Sequence, residues 1–359
     1  MNTLPQITLI QDIMSLPKVI LEEICTDLDL DVAGYKGELA NRIFEYLQQN
    51  RDIHEEVLQK YSSKIFAGKT SLSWFRLNNT LSIGSFKELI KENHLFDPFE
   101  NMNVPSIMEI TTDPILIGAA EGFSSSELFL RMIYKSGIFQ EVFGTEIRTI
   151  PKTSLATVYY NEKTGILEIR GDSRKAESIA KEIARLLNQQ INLEFIESPF
   201  NHRIGHIADD LKGELIDTTS KPEIILEEFD EDQIRAVANV LTALDEYFDT
   251  NDTEQLANQL EQANSAFGDQ EISIPFSALI LAGMDKVGLG GEREIRGLPL
   301  FDYLNPNLQE QGGFIRFSFI EDGVEKSYTV RVGIKSRSIY FTTPATEKVI
   351  AYVRENVIM

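Results

Sequence analysis

The sequence predicts an α+β fold: a small helical module, then two β-rich modules that each end in a helix, with an acidic helical hairpin between them. Three observations carry the prediction. Apolar residues recur at spacings of three and four near the N-terminus and again from Ile234 to Phe248, the period of a helix with one buried face. From Leu155 to Arg170, and from Phe314 to Phe341, apolar and polar residues alternate around short turns, the period of a half-buried strand. Pro222 to Glu271 holds 14 acids and one base, Arg235, which sets it apart from both.

The first element runs from Leu16 to Leu47. Val19, Ile20, Ile24 and Leu28 mark one short helix, Leu39, Ile43 and Leu47 a second, and Leu30 to Gly34 form an extended turn between them. Leu30 enters the loop, and Gly34, Lys36, Leu39, Arg42 and Ile43 follow as G-x-K-x-x-L-x-x-R-I. This stretch resembles the SAP domain, a helix, extended loop, helix module that docks on duplex DNA. The resemblance implies phosphate contact at Gly34, Lys36 and Arg42, where a free backbone and the opening N–H groups of a helix meet two cations. Glu22, Cys25 and Asp29 stand where the family usually has Lys, Leu and Gly. Residues 9–50 carry eight acids against three bases, a net of −5, and so lack the cation cluster that phosphate binding draws on.

Arg51 to Tyr61 reads as a polar helix and Ser71 to Leu77, with the single tryptophan Trp74, as a strand. Gly68-Lys69-Thr70 between them has the ending of a P-loop, but Ser63 stands where its first glycine belongs and a strand follows where a helix is needed. Ser85 is expected to cap a helix from Phe86 to Glu92, and the Pro and Asn residues of His94 to Pro105 to mark a boundary. Strands are expected at Ile107 to Ile110 and Pro114 to Ile117. Ser124 and Glu127 form a capping-box pattern that predicts a helix from Leu128 to Tyr134.

Ser154 to Leu187 is the clearest unit: strand Leu155 to Tyr160, the turn NEKTG, strand Ile166 to Arg170, and a helix capped by Asp172. Such a β-β-α unit is common in ferredoxin-like and nucleic-acid-binding modules. Its open face would carry Tyr160, Lys163 and Arg170, with Arg174 and Lys175 at the helix start. The competing reading is an ordinary solvated face balanced by Glu168, Glu177 and Glu182. Arg170-Gly171-Asp172 spells an adhesion tripeptide, for which Asp172 as a cap is the simpler account.

His202, His206 and Asp209 are the metal-ligand candidates, since a helix would bring them to one face; Gly205 and the nearby Pro199 argue against it. Helices from Glu231 to Phe248 and from Glu254 to Ala263 form the acidic hairpin. Ile272 to Leu281 reads as an apolar strand or buried helix, and Gly288 to Gly291 as a flexible loop without a dinucleotide fingerprint. Strands Phe314 to Ile320, Ser327 to Val332 and Ser338 to Phe341 lead to a last helix after Thr343 and Pro344. Glu146-Ile-Arg-Thr-Ile-Pro151 echoes Glu294-Ile-Arg-Gly-Leu-Pro299, a hint of duplication in which each Glu would neighbour its Arg on a strand face.

These elements divide the chain at 1–50, 51–104, 105–220, 221–271 and 272–359. The single cysteine, Cys25, excludes an internal disulfide and a Cys-based zinc site, no run reaches the ~18 apolar residues of a membrane span, and a cytoplasmic location with no membrane partner is expected. Net charge is −22, while residues 146–187 hold eight bases to six acids. No nucleophile elbow, complete P-loop or paired ligand motif is present, and no cofactor is expected. The expectation is a non-enzymatic accessory subunit of a nucleic-acid-processing or defence complex that contacts DNA through Gly34, Lys36, Arg42, Arg170, Arg174 and Lys175. The alternatives are an adaptor whose acidic segment docks a basic protein partner, and a metal-dependent hydrolase or nuclease using His202, His206 and Asp209.

Overall fold

The computed structural model describes residues 2–77, 79–188, 194–201, 203–222, 231–250, 252–266, 287–305 and 308–359. The fold is α+β, and the chain packs as two compact units, Met1–Gly213 with Ile315–Met359, and Glu214–Phe314. This differs from the five segments read in the sequence. The C-terminal strands return to the first unit because the first strand needs partners on both edges.

In the first unit, helices α1 (Ile10–Ser15), α2 (Lys18–Asp27), α3 (Lys36–Gln49) and α4 (Arg51–Ile65) lead into strand β1 (Ser71–Arg76) and helix α5 (Ile83–Asn93). Strands β2 (Ile115–Glu121), β3 (Glu127–Phe143), β4 (Glu146–Asn161) and β5 (Ile166–Arg170) follow, then α6 (Ser173–Leu186), β6 (Glu194–Phe195) and α7 (Ile204–Asp210). Strands β10 (Val324–Gly333) and β11 (Ser338–Phe341) and helix α11 (Glu347–Val353), which widens into a π-turn at Arg354–Ile358, complete it. The antiparallel strands run β2-β3-β4-β5-β1-β11-β10. Leu72 to Arg76 of β1 pair with Arg170 to Ile166 of β5, and the opposite edge of β1 is shared by Tyr340 and Ile339 of β11 and by β6.

Both faces of this sheet are covered. Phe75, Leu130, Met132, Val158, Tyr160 and Leu167 meet α5 and α6 on one side, while Ala120, Phe129 and Tyr159 meet Leu21, Ile24, Leu39, Ile43 and Leu47 of α2 and α3 on the other. Each large apolar side chain so buried stabilises the fold by about 1.5–3 kcal/mol. The α2–α3 hairpin therefore packs into the same core as the sheet. Leu21, Ile24 and Cys25 face inward from α2, and Val19 points to solvent, correcting its expected inward placement; the helix begins at Lys18, which sets this phase.

Several other expectations are corrected. Leu128 to Tyr134 is strand, because a run buried on both faces has no helical period to satisfy; the Ser124–Glu127 pair closes a turn instead, with the Ser124 N–H donating to Glu127 Oε2 at 3.1 Å. Residues 107–109 are turn, not strand. The cap of α5 is Ser82, whose Oγ accepts from the Ser85 N–H. The β4–turn–β5–α6 unit and the Asp172 cap form as expected, with the Asp172 carboxylate accepting from the Arg174 N–H.

The second unit holds β7 (Glu214–Pro222), α8 (Glu231–Thr250), α9 (Thr253–Ala266), β8 (Val287–Gly290), α10 (Pro299–Leu304) and the first half of β9 (Leu308–Glu321), whose residues from Ile315 belong to the first unit. Gly288 to Gly290 pair with Asp217 to Thr219, so the expected glycine loop is largely strand. Residues 272–281 lie outside those described. Glu294 and Arg296 do pair, at 2.7 Å, but on a turn, whereas Glu146 and Arg148 lie in β4; the hexamer echo is not a structural repeat.

Candidate anion-binding cleft

Between α4 and β1, residues 67–70 cross the first unit at the meeting point of β1, β5, β11 and the start of α6. The segment is clamped by backbone: the Gly68 N–H donates to the Ala345 carbonyl at 2.9 Å, the Ala345 N–H to Gly68 at 3.1 Å, the Phe341 N–H to Thr70 at 2.9 Å and the Gly171 N–H to Ser71 at 3.0 Å. Running straight into a strand, Gly68-Lys69-Thr70 has none of the helix a P-loop requires.

Two cavities flank this segment and share Lys69, Thr70 and Gly171. The outer one, about 450 Å³, is lined by the hydroxyls of Thr70, Ser71, Ser173, Ser336, Ser338 and Tyr340, by Lys69 and by Arg331. Among the described residues neither Lys69 nor Arg331 has an acidic partner or a side-chain hydrogen bond. The one acid of the outer cavity, Asp172, is already engaged: hydrogen bonds from the Arg174 guanidinium, at 2.8 Å to Nη2, hold its carboxyl below the usual range.

The inner cavity, about 490 Å³, lies between α1, α4, β3, β4 and β5. Arg131 and Arg170 line it with Thr153, Ser154 and Thr157, opposite Gln11, Asp12 and Ser15. Arg131 is buried, donates to Asp12 and to the Thr157 hydroxyl, and stacks its guanidinium on Phe66 at 5.3 Å; its Nε has no partner. Arg170 is held from behind by Glu168 and Glu347, which do not line the cavity. Both guanidiniums of this inner cavity are thus matched by carboxylates, Arg131 by Asp12 and Arg170 by Glu168 and Glu347, and the cations without an acidic partner are those of the outer cavity.

The residues singled out in the sequence reach this region unevenly. Gly34 takes φ +128°, a conformation open to glycine, and Lys36 opens α3 with an exposed side chain whose Nζ donates to the Ser15 carbonyl at 3.4 Å. Ser15 also lines the inner cavity, so Lys36 adjoins it. Arg42 folds back on its own loop, donating to the carbonyls of Asp31 and, at 3.1 Å, Ala33. Arg170, expected on an open face with Tyr160, is 3% exposed, and Tyr160 is fully buried; helices cover both faces, which leaves no open face there. Arg174 is exposed and paired with Asp172, and Lys175 donates to the Thr112 carbonyl at 3.2 Å.

His206 and Asp209 lie on α7 one turn apart, and His202 is outside the described residues. Among the described residues no three His, Cys, Asp or Glu side chains come close enough to hold a metal ion. No helix there is long and apolar enough to cross a membrane. Lys69 and Arg331 were missed by sequence reasoning. Their signal is the lack of an acid paired with them, which only the assembled strands reveal. Compared with known proteins, the chain matches no protein family and no curated sequence.

Proposed function

We propose that this protein is a non-enzymatic, cytoplasmic accessory subunit of a nucleic-acid-processing or defence complex, and that it holds the phosphate backbone of duplex DNA in the cleft around Lys69 and Arg331, with the SAP-like head alongside. The observation that carries this reading is a pair of cations without acidic partners in a hydroxyl-lined cleft, in a chain of net charge −22. Hydroxyls and cations are the donors that phosphate oxygens take. Lys36, which donates to the Ser15 carbonyl, is a cation of the head that such a duplex would also meet. The likeness of the head to a SAP domain gains support from Asp29, which holds φ +53° where the family has its flexible glycine.

Binding of labelled duplex DNA, single-stranded DNA and RNA at about 50 and about 200 mM salt tests it. The expected result is affinity for duplex that falls steeply with salt and drops at least ~10-fold in Lys69→Glu/Arg331→Glu, as the loss of two phosphate contacts requires. Absence of binding at low salt rejects it. Lys36→Glu/Arg42→Glu separates the head from the cleft: loss in that variant alone assigns the contact to the head.

A second reading has its own support. On α8 and α9 the exposed side chains of Leu241, Phe248 and Leu260 lie among Asp245, Asp249, Glu254 and Glu261, a mixture suited to a basic protein partner. Capture of a basic partner by the whole protein, lost in Phe248→Asp, tests that adaptor role.

A further inference from the structure

Strands β3 and β4 are far longer than their neighbours. β2 covers only Leu128 to Ile133 of β3, and β5 only Thr157 to Asn161 of β4, so the two continue alone as a hairpin arm from Gly137 to Lys152. At its base the Lys135 N–H reaches the Thr111 carbonyl at 2.6 Å, Ser136 bulges out of register, and the Ser154 hydroxyl donates to Ser136 at 2.8 Å. A tight turn closes the tip at Gly144, φ +61°. Among the described residues nothing pairs with either outer edge of the arm beyond its base.

The arm is polar where strands usually are not and apolar where solvent should be. Val142, Phe143 and Ile147 are each more than two-thirds exposed, and Ile138, Phe139 and Ile150 about half. They lie on both faces, with Gln140–Thr149 and Glu141–Arg148 as the polar waist. These six side chains offer on the order of 600 Å² of apolar surface, an exposed patch of the size that marks an interaction site. An isolated two-stranded ribbon is marginal in water and gains from further strands.

The two edges differ. The β4 edge carries Arg148, Pro151 and Lys152, the residue types with which proteins block strand addition. From Gly137 to Phe143 the β3 edge has no proline and no base, and its one charge, Glu141, stands opposite Arg148 of its own hairpin. That edge is also complementary to itself. An antiparallel pairing centred on Gln140 sets Ile138 opposite Val142, Phe139 opposite Glu141 and Gly137 opposite Phe143, with the two Gln140 amides facing at the two-fold axis. No like charges oppose each other, and the bulky Phe143 falls against a glycine beside which a Cβ would meet nothing within 4 Å. A membrane occupant does not suit an arm without a cluster of bases on a chain of net charge −22.

We propose that the open β3 edge of the arm pairs with the same edge of a second copy of this chain, joined antiparallel with Gln140 at the two-fold axis, giving a four-stranded ribbon β4-β3-β3-β4 that links two copies. Sedimentation equilibrium of the full chain over about 1–100 μM, the range in which moderate interfaces associate, should show a dimer. Ile138→Glu/Val142→Glu and Ile138→Lys/Val142→Lys should each be monomeric, and mixed together should dimerise. Gln140→Cys should cross-link to itself on mild oxidation, and Thr149→Cys, on the other strand of the same arm, should not. All these positions are exposed, and thermal unfolding like that of the wild type confirms that the variants fold. A wild-type monomer at the highest concentration, dimers in either single-charge variant, or equal cross-linking at Thr149 overturns the proposal. Flotation of the wild type with phosphatidylcholine vesicles while monomeric also overturns it, in favour of a lipid surface.

Discussion

The carboxylate of Glu168 and the guanidinium of Arg354, separated by 186 residues of chain, meet at 2.8 Å in the interior of the first unit. Glu168 also accepts from Trp74 Nε1 at 2.7 Å and from Arg170 Nε at 2.8 Å, and Glu347 bridges Arg170 and Arg354 from α11. Tyr159 lies under Arg354, 4.0 Å from its ring centroid. Two acids and two bases thus neutralise one another in the interior, and each Glu168 oxygen has a donor. Burial pushes the Glu168 carboxyl up, but the charges of Arg354 and Arg170 and the hydrogen bonds from Arg354 and Trp74 outweigh it and hold the carboxyl at about 2.

Arg354→Met leaves Glu168 and Glu347 with one guanidinium between them. Removing one partner of a buried pair typically costs about 3–5 kcal/mol, because the remaining charge stays desolvated. Urea unfolding should show a midpoint lowered accordingly, with Arg354→Lys intermediate, since a lysine supplies the charge without the two-pronged contact.

Acid should release the same interaction. The Glu168 pKa is lower in the folded protein than its ordinary 4.5, so its stabilisation is complete above about 4.5 and is lost as pH falls toward about 2. Glu168→Gln should be less stable at neutral pH, and its stability should fall less between those two values than that of the wild type. Chemical unfolding at a series of pH values measures both.

Trp74→Phe keeps the ring and removes the N–H that Glu168 accepts. A hydrogen bond to a buried charge contributes about 1.5–3 kcal/mol. A loss of that size in unfolding free energy, with the folded circular dichroism spectrum retained, is expected.

Gly34→Ala should destabilise the head. At φ +128° an L side chain is strained, and its Cβ would stand 2.5 Å from Glu38 Oε2, which accepts the Tyr35 N–H at the start of α3. A cost of about 1–3 kcal/mol is expected from such strain. Hydrogen exchange in residues 30–40 should accelerate more than exchange in β4 and β5.

What the sequence made legible follows from range. The β4–turn–β5–α6 unit was readable because its signals are local: alternation, a five-residue turn and Asp172 beside the N–H it caps. β3 was misread because Ser124 and Glu127 do bond as a helix start would, while the burial of Leu128 to Tyr134 on two faces depends on α2, α3, α5 and α6. Arg170 looked like a surface base because its partner Glu347 is 177 residues away. Lys69 was passed over for a like reason. Its triplet fails as a P-loop, and Arg331, Ser336, Ser338 and Tyr340, which complete its cleft, come from the other end of the chain.

Strand β1 has a consequence for how the chain is made. Half of its edge opposite β5, at Ser71 and Leu72, is filled by β11, and Glu168 beside it is neutralised in part by Arg354, both synthesised long after Arg76 and Arg170. At roughly 5–20 residues per second the nascent first unit waits on the order of tens of seconds with an open strand edge and a half-paired buried acid. During that interval it presents the kind of surface that chaperones recognise, and a ribosome stalled within the second unit would strand it there.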